Sequence, residues 1–196
     1  MIPKRVIKLG GSCLDNPQLA IAIHHWLLTL TPGQNLWIVG GGQAIDAMRQ
    51  LAALHPLDEA NMHWRCVNLL RASFEIVAEL LPTWSVISER QAWQQLLAEL
   101  PQTENYLLAV DSFYSRQSSQ DSRLPEGWAT TTDAIAAYLA RLSNADELIL
   151  LKSCEVTEID PLQLAQQGIV DLAFPAAMPA ATKLQLVTLP RVTGST

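Results

Sequence analysis

Little in this sequence is basic, and nothing in it is basic in clusters: 13 Lys and Arg are outnumbered by 19 Asp and Glu, for a net charge of −6. Such a chain is a poor electrostatic partner for nucleic acid, and any anion site in it must be local, made by a few placed cations and backbone amides. Cysteine is scarce as well. Cys13, Cys66 and Cys154 lie far apart, without CxxC or Cys/His spacing, which argues against a structural metal centre or a disulfide framework and fits free thiols in a reducing compartment. No apolar run approaches the roughly 18 residues of a membrane span. A charged segment followed by an apolar core is also missing at the start, so the expectation is a cytoplasmic chain with no membrane partner. Two nucleotide signatures are absent: GxxxxGK[ST], which excludes a P-loop kinase, and GxGxxG, which argues against a dinucleotide dehydrogenase. With 49% apolar and 16% charged residues, 196 residues suit one domain over 1–196 with a sizeable core.

What is present begins with VIKLGGS at 6–12, a strand-like stretch that ends in Gly10 and Gly11 with Lys8 just before them. It recurs in variant form as LWIVGGG at 36–42, ending in Gly40, Gly41 and Gly42. Two apolar strands that each open into a glycine turn, followed by helical periodicity, aim backbone N–H groups and helix N-termini at one sheet edge. With a lysine in the first turn, the simplest reading is a phosphate site, and the expected class is a small-molecule kinase. A lysine on an edge strand is the competing reading for Lys8.

Apolar runs alternate with helical patterns along the chain. Strands are predicted at 4–9, 36–39, 84–87, 106–110, 147–151 and 184–189, and helices near 17–30, 43–54, 58–81, 91–100 and 131–143. Nearly continuous apolar strands such as LILL suit a sheet covered on both faces, and β/α alternation favours a parallel sheet with right-handed crossovers, an α/β sandwich. Residues 58–81 are apolar almost all round, which places them deep in the core or in a subunit interface; the interface reading implies a homodimer. The polar, Ser-rich stretch 112–128 is either a mobile loop or a lid.

Phosphoryl transfer asks the protein to align two reactants and to neutralise charge on the transferred group. Glycine turns and one or two lysines suffice, with Mg²⁺ carried in by the nucleotide. Within ATTTDAIAAYLARL, Thr131 or Thr132 is placed to cap a helix and Asp133 falls in its first turn. Asp133 either complements the helix dipole or faces the phosphate site and holds a lysine there. Lys152, at the C-terminal end of the LILL strand, is a candidate for that lysine, because ligands of open α/β sheets gather at those ends. His63 and Arg65 sit in the apolar helix, as substrate-phosphate contacts or as interface residues, and Asp111 either faces substrate or caps a loop.

Taken together, Lys8 with Gly10, Gly11 and Ser12, the Gly40–Gly42 turn, Thr132 with Asp133, and Lys152 resemble the amino acid kinase family, whose members include acetylglutamate kinase, aspartokinase, carbamate kinase and bacterial uridylate kinase. The resemblance runs in order through the whole chain. It implies a three-layer αβα sandwich around a mainly parallel sheet, and ATP-dependent phosphorylation of a small anionic acceptor. In that family the glycine turns hold the transferred phosphoryl, a lysine at the position of Lys8 stabilises it, and an aspartate at that of Asp133 organises the lysines. Within the family, the helix MHWRCVNLL and the stretch WATTTDAIAAYLARLSNADELILLKS are similar to the small kinases that phosphorylate aminomethylfuran-methyl phosphate in methanofuran-type cofactor synthesis. One departure stands out. Where many relatives carry a TDVDG- or TKVDG-like stretch after the fifth strand, this chain reads KSCEVTEID, with Glu155 near the place of the acid and no glycine after it. Some relatives place the second lysine later in the chain, which makes Lys183 the alternative to Lys152. A non-catalytic nucleotide- or anion-binding member is the competing class.

Overall fold

The computed structural model describes residues 2–117, 119–156 and 158–189. Its six strands, β1 Lys4–Leu9, β2 Gln34–Val39, β3 Ser85–Ile87, β4 Glu104–Leu108, β5 Glu147–Lys152 and β6 Lys183–Thr188, form one all-parallel sheet in the order β3-β4-β2-β1-β5-β6. The longer helices are α1 Leu19–Leu27, α2 Gly42–Leu54, α3 Glu59–Leu80, α4 Arg90–Ala98 and α6 Thr132–Ser143. Short turns of helix, α5 Ser119–Ser122, α7 Pro161–Gln166 and α8 Phe174–Ala177, complete the set. Among the described residues, no helix is long and apolar enough to cross a membrane.

Side chains alternate across the sheet with a period of two. Val6, Leu36, Ile38, Leu108, Leu148 and Leu150 join one core cluster, beneath α6 and the N-terminal half of α3. Ile7, Leu9, Trp37, Val39, Leu107, Ile149 and Leu151 join the other, with α1 and the C-terminal part of α3. The sheet is thus covered on both faces, which is why its strands read as near-continuous apolar runs. α6 lies close on β1 because its buried face is rich in alanine: Ala134, Ala136, Ala137 and Ala140 are all at 1% exposure or less.

The six strands and five longer helices agree with expectation to within a few residues, whereas the short helices α5, α7 and α8 were not expected. The first glycine turn leads into a 3-10 turn, Gly11–Asp15, not directly into an α-helix. Pro17 disfavours helical backbone at Asn16, which is extended (φ −85°, ψ 111°), so α1 begins beyond it. Most of the apolar circumference of α3 is core: Met62, Trp64, Val67, Leu70, Phe74 and Val77 are buried, while Ile76 and Leu80 are exposed. Described residues at both ends of the stretch 112–128 are anchored to the rest of the fold. Phe113, Tyr114 and Leu124 belong to the larger core cluster, and Trp128 N–H donates to Glu59 Oε1 at 3.0 Å.

Candidate active site

Lys8 lies on β1, a central strand between β2 and β5, which removes the edge-strand reading. Parity places its side chain on the α6 face, with Val6, and the register Lys8↔Leu150 puts Lys152 on the same face two residues further along β5. A one-residue slip of either strand would turn its lysine to the opposite face. Asp133, in the first turn of α6, descends between them. Lys152 Nζ donates to Asp133 Oδ2 at 2.9 Å, and Lys8 Nζ lies 3.0 Å from Oδ1 as an ion pair. Lys8 and Asp133 are buried and Lys152 nearly so, so this carboxylate is the counter-charge of two desolvated ammoniums. Burial opposes ionisation of Asp133, but the two lysines and their hydrogen bonds outweigh it and hold the carboxyl below its usual range. Burial and the repulsion of Lys8 push Lys152 below the usual lysine range, against the pull of Asp133. A second acceptor, the Ile169 carbonyl, takes Lys152 Nζ–H at 2.7 Å.

The glycine turns meet each other at this point. A Cβ on Gly11 would stand 2.0 Å from the Gly42 nitrogen, and one on Gly40 would stand 2.8 Å from the Gly11 nitrogen and 3.2 Å from Thr132 Oγ1. Gly42 also has φ +52°, a left-handed backbone that glycine adopts without penalty. These glycines are therefore required by turn-to-turn contact even before any phosphate approaches. Close packing leaves the N–H groups of Gly11, Ser12, Gly41 and Gly42 with no protein acceptor among the described residues. Free amides beside a buried lysine are donors of the kind an anionic phosphoryl group takes up, so these residues fit the phosphates of a nucleotide.

A cavity of about 210 Å³ opens from the turns, between α2, α3 and the segment leading into α6. Lys8, Gly11, Ser12, Gly40, Gly41, Gly42 and Thr132 lie along it, and Ile45, Val67, Leu70 and Ile135 give it apolar walls. At its lining, the Arg49 guanidinium lies 5.6 Å from the centre of the Trp128 ring and pairs with Asp46 at 3.3 Å.

His63 also lines this cavity, but both of its ring nitrogens are engaged. Nδ1 is 3.3 Å from the Gly127 carbonyl and Nε2 is 2.9 Å from Tyr114 Oη. The carbonyl can only accept, so Nδ1 carries the proton and Nε2 accepts from the tyrosine. Burial pushes the imidazole below its ordinary value, and a neutral, doubly bonded ring is a wall rather than a phosphate-binding cation. Arg65 and Asp111 are not at this cavity. They line a separate depression of about 410 Å³ beside α3, where Asp111 is paired with Arg71 at 2.7 Å. Glu155 is exposed in the segment after β5. The register Lys183↔Glu147 puts Lys183 at the opposite end of the sheet from Lys152, roughly 17 Å away along the strand direction, and removes it as the second lysine.

One residue escaped sequence reasoning. Thr131 occupies the N-cap position of α6 but does not cap it. Instead, Asp171 Oδ2 accepts from Thr131 N–H at 2.9 Å, Thr131 Oγ1–H at 2.7 Å and Ala134 N–H at 3.0 Å. The only signal was an acid inside the apolar run GIVDLAF, and its partners are mainly backbone groups forty residues earlier in the chain.

This is an amino acid kinase-like fold: one all-parallel six-stranded sheet flanked by helices. Uridylate kinase from Archaeoglobus fulgidus is similar with a TM-score of 0.62 and 19% identity, over 94% of this chain and 90% of that one. UMP kinase from Bacillus anthracis is similar with a TM-score of 0.65 and 13% identity, over 95% and 87%. Aspartate kinase from Synechocystis gives 0.63 and 15%, covering 94% of this chain but 38% of its own. The sequence matches no protein-family model and no curated protein.

Proposed function

We propose that this protein is an ATP-dependent small-molecule kinase that moves the γ-phosphoryl group to a small anionic acceptor held in the cavity beside Lys8. The observation that carries this reading is Asp133 bridging Lys8 and Lys152 directly beneath two glycine turns with free N–H groups. A module that merely bound an anion would have no need of two buried ammoniums locked to one carboxylate. As the new bond from acceptor oxygen to phosphorus forms, the bond to the leaving ADP oxygen breaks, and charge spreads over the equatorial oxygens. Lys8 and the amides of Gly11, Ser12, Gly41 and Gly42 would neutralise that charge on the acceptor side. Lys152, which does not line the cavity, would serve the donor side. Mg²⁺ would enter on the nucleotide phosphates and supply further charge neutralisation. Asp133, already claimed by two ammoniums, is no general base, and an acceptor that is itself a phosphate or carboxylate needs none.

For the acceptor we propose aminomethylfuran-methyl phosphate, in line with the family resemblance. The cavity supports it chemically: apolar walls and the Trp128 ring suit a small aromatic ring, Arg49 a phosphate, and Asp46 a primary ammonium. UMP and aspartate, acted on by the similar kinases, are the comparison substrates. The three free thiols support a cytoplasmic setting, and the exposed Ile21, Leu28, Ile76 and Leu80 support a homodimer through the layer of α1 and the end of α3. The decisive experiment measures acceptor-dependent ADP release from Mg·ATP with these three acceptors. Release with aminomethylfuran-methyl phosphate well above the others supports the reading, and ADP release with none of them removes it.

A non-catalytic nucleotide or anion binder has one observation in its favour. After β5 the chain reads KSCEVTEID, with no glycine after Glu155, and Glu155 is exposed. Calorimetric binding of Mg·ATP without turnover would favour that alternative.

A further inference from the structure

The constellation of Lys8, Asp133 and Lys152 is held from outside by one segment, residues 169–173, between α7 and α8. Its Ile169 carbonyl takes Lys152 Nζ–H, its Asp171 carboxylate takes the first turn of α6 on both sides of Asp133, and Ala173 N–H donates to the Ala129 carbonyl at 2.9 Å. We propose that Asp171 is a positioning residue for phosphoryl transfer, fixing the start of α6 so that the Asp133 carboxylate stays between Lys8 and Lys152. This rests on the kinase reading above.

Capping alone does not account for Asp171. The N-cap residue of α6 is a threonine, a residue type that caps helices with its own oxygen, yet Thr131 Oγ1 donates to Asp171 at 2.7 Å. A helix that needed only a cap would use the local hydroxyl and avoid a mostly buried carboxylate, which is costly to desolvate. Here the cost is visible. Asp171 Oδ1 is buried with no hydrogen-bond partner, and burial pushes the carboxyl above its usual range. What the imported carboxylate adds is a rigid link from the segment that holds Lys152 to the turn that holds Asp133.

The link also has an electrostatic consequence. The charged and titratable groups facing Lys152 are Lys8 from β1, Asp133 from α6, Asp171 from the segment itself and Cys13 from the turn after β1. Asp171 favours the protonated ammonium against burial and Lys8. Asp171→Asn keeps the size and one oxygen acceptor and removes the charge. In the full chain it should lower kcat about tenfold with both KM values within about twofold, since the alignment of reacting groups is lost rather than binding. In ¹³Cε-lysine-labelled protein, the Lys152 resonance should titrate lower than in the wild type, because a charge that favours the ammonium is gone. A residue that only capped α6 would lower the melting temperature and leave kcat in place.

Turnover within twofold of wild type, or an unmoved Lys152 titration, overturns the proposal. Should Asp171→Asn not fold, Thr131→Val decides instead, because it removes one of the donors to Oδ2 and keeps the charge. A kcat loss of about threefold or more with Lys152 titrating normally supports the positioning role, and wild-type kcat overturns it. If the wild type itself phosphorylates none of the acceptors, the kinase reading falls, and the Lys152 titration alone then decides whether Asp171 acts on the constellation.

Discussion

Replacing Asp133 by asparagine removes the counter-charge of two ammoniums while keeping the side chain's shape. In the native protein the carboxylate is 6% exposed, with Lys8 Nζ 3.0 Å from one oxygen and Lys152 Nζ 2.9 Å from the other. Breaking a buried pair from one side leaves uncompensated charge and costs about 3–5 kcal/mol. For a domain of this size that is a fall of about 6–20 °C in melting temperature. If Asp133 merely complemented the dipole of α6, the loss would be at most about 1 kcal/mol, or about 4 °C. Thermal melts followed by circular dichroism separate these ranges. The loss should shrink as pH rises, because Lys152, already pushed down by burial, sheds its proton and relieves the repulsion. The wild type should behave oppositely in acid. With the folded carboxyl depressed, its stabilisation is present above the unfolded value of 3.8 and is lost as pH falls through the lower folded value. In turnover, Lys8→Ala should lower kcat by about 10²–10³, and combining it with Asp133→Asn should cost less than the sum of the single losses. An Asp133→Asn protein that melts within about 4 °C of wild type and turns over normally would refute this account of the site.

Two glycines give opposite expectations from the same substitution. Gly11→Ala drives a methyl into the Gly42 backbone, 2.0 Å from its nitrogen, and should cost about 3 kcal/mol or more, seen as a large fall in melting temperature. Gly168→Ala, with φ +69° and nothing within 4 Å of the new Cβ, should cost only the left-handed backbone penalty of about 1–2 kcal/mol. His63 is held neutral by burial, with its folded value below 6.5. The unfolded chain therefore takes up the proton first, and stability should fall as pH drops below 6.5 until the folded value is passed. His63→Gln should flatten that limb of a denaturation-versus-pH profile. Light scattering at micromolar concentration should report a dimer, and Ile76→Glu together with Leu80→Glu should return it to a monomer without unfolding it; a wild-type monomer would leave α3 as core alone.

Much of the site was legible because it is built from local patterns. Lys8 before Gly10 and Gly11, the Gly40–Gly42 turn, and Thr132 with Asp133 are each short motifs recognisable without knowing their distant partners. Strand parity does the rest once the sheet is known to be parallel, since a period of two fixes which side chains share a face. Sequence alone therefore determined the α/β class and the two glycine turns, and it singled out Lys8 and Asp133 as candidates. It could not choose between Lys152 and Lys183, because that depends on which end of the sheet each occupies, and only the β5–β6 register decides it. His63 and Arg65 were singled out as cations in an apolar helix and Asp111 as an acid at a strand end; the structure puts His63 at one depression and Arg65 and Asp111 at another, because the way α3 lies across the sheet sends His63 and Arg65 to different neighbours. Asp171 was hidden for a related reason. Its partners are chiefly backbone N–H groups, which every residue carries, so no residue type in the sequence could point to them until tertiary packing brought residues 131–134 and 171 together.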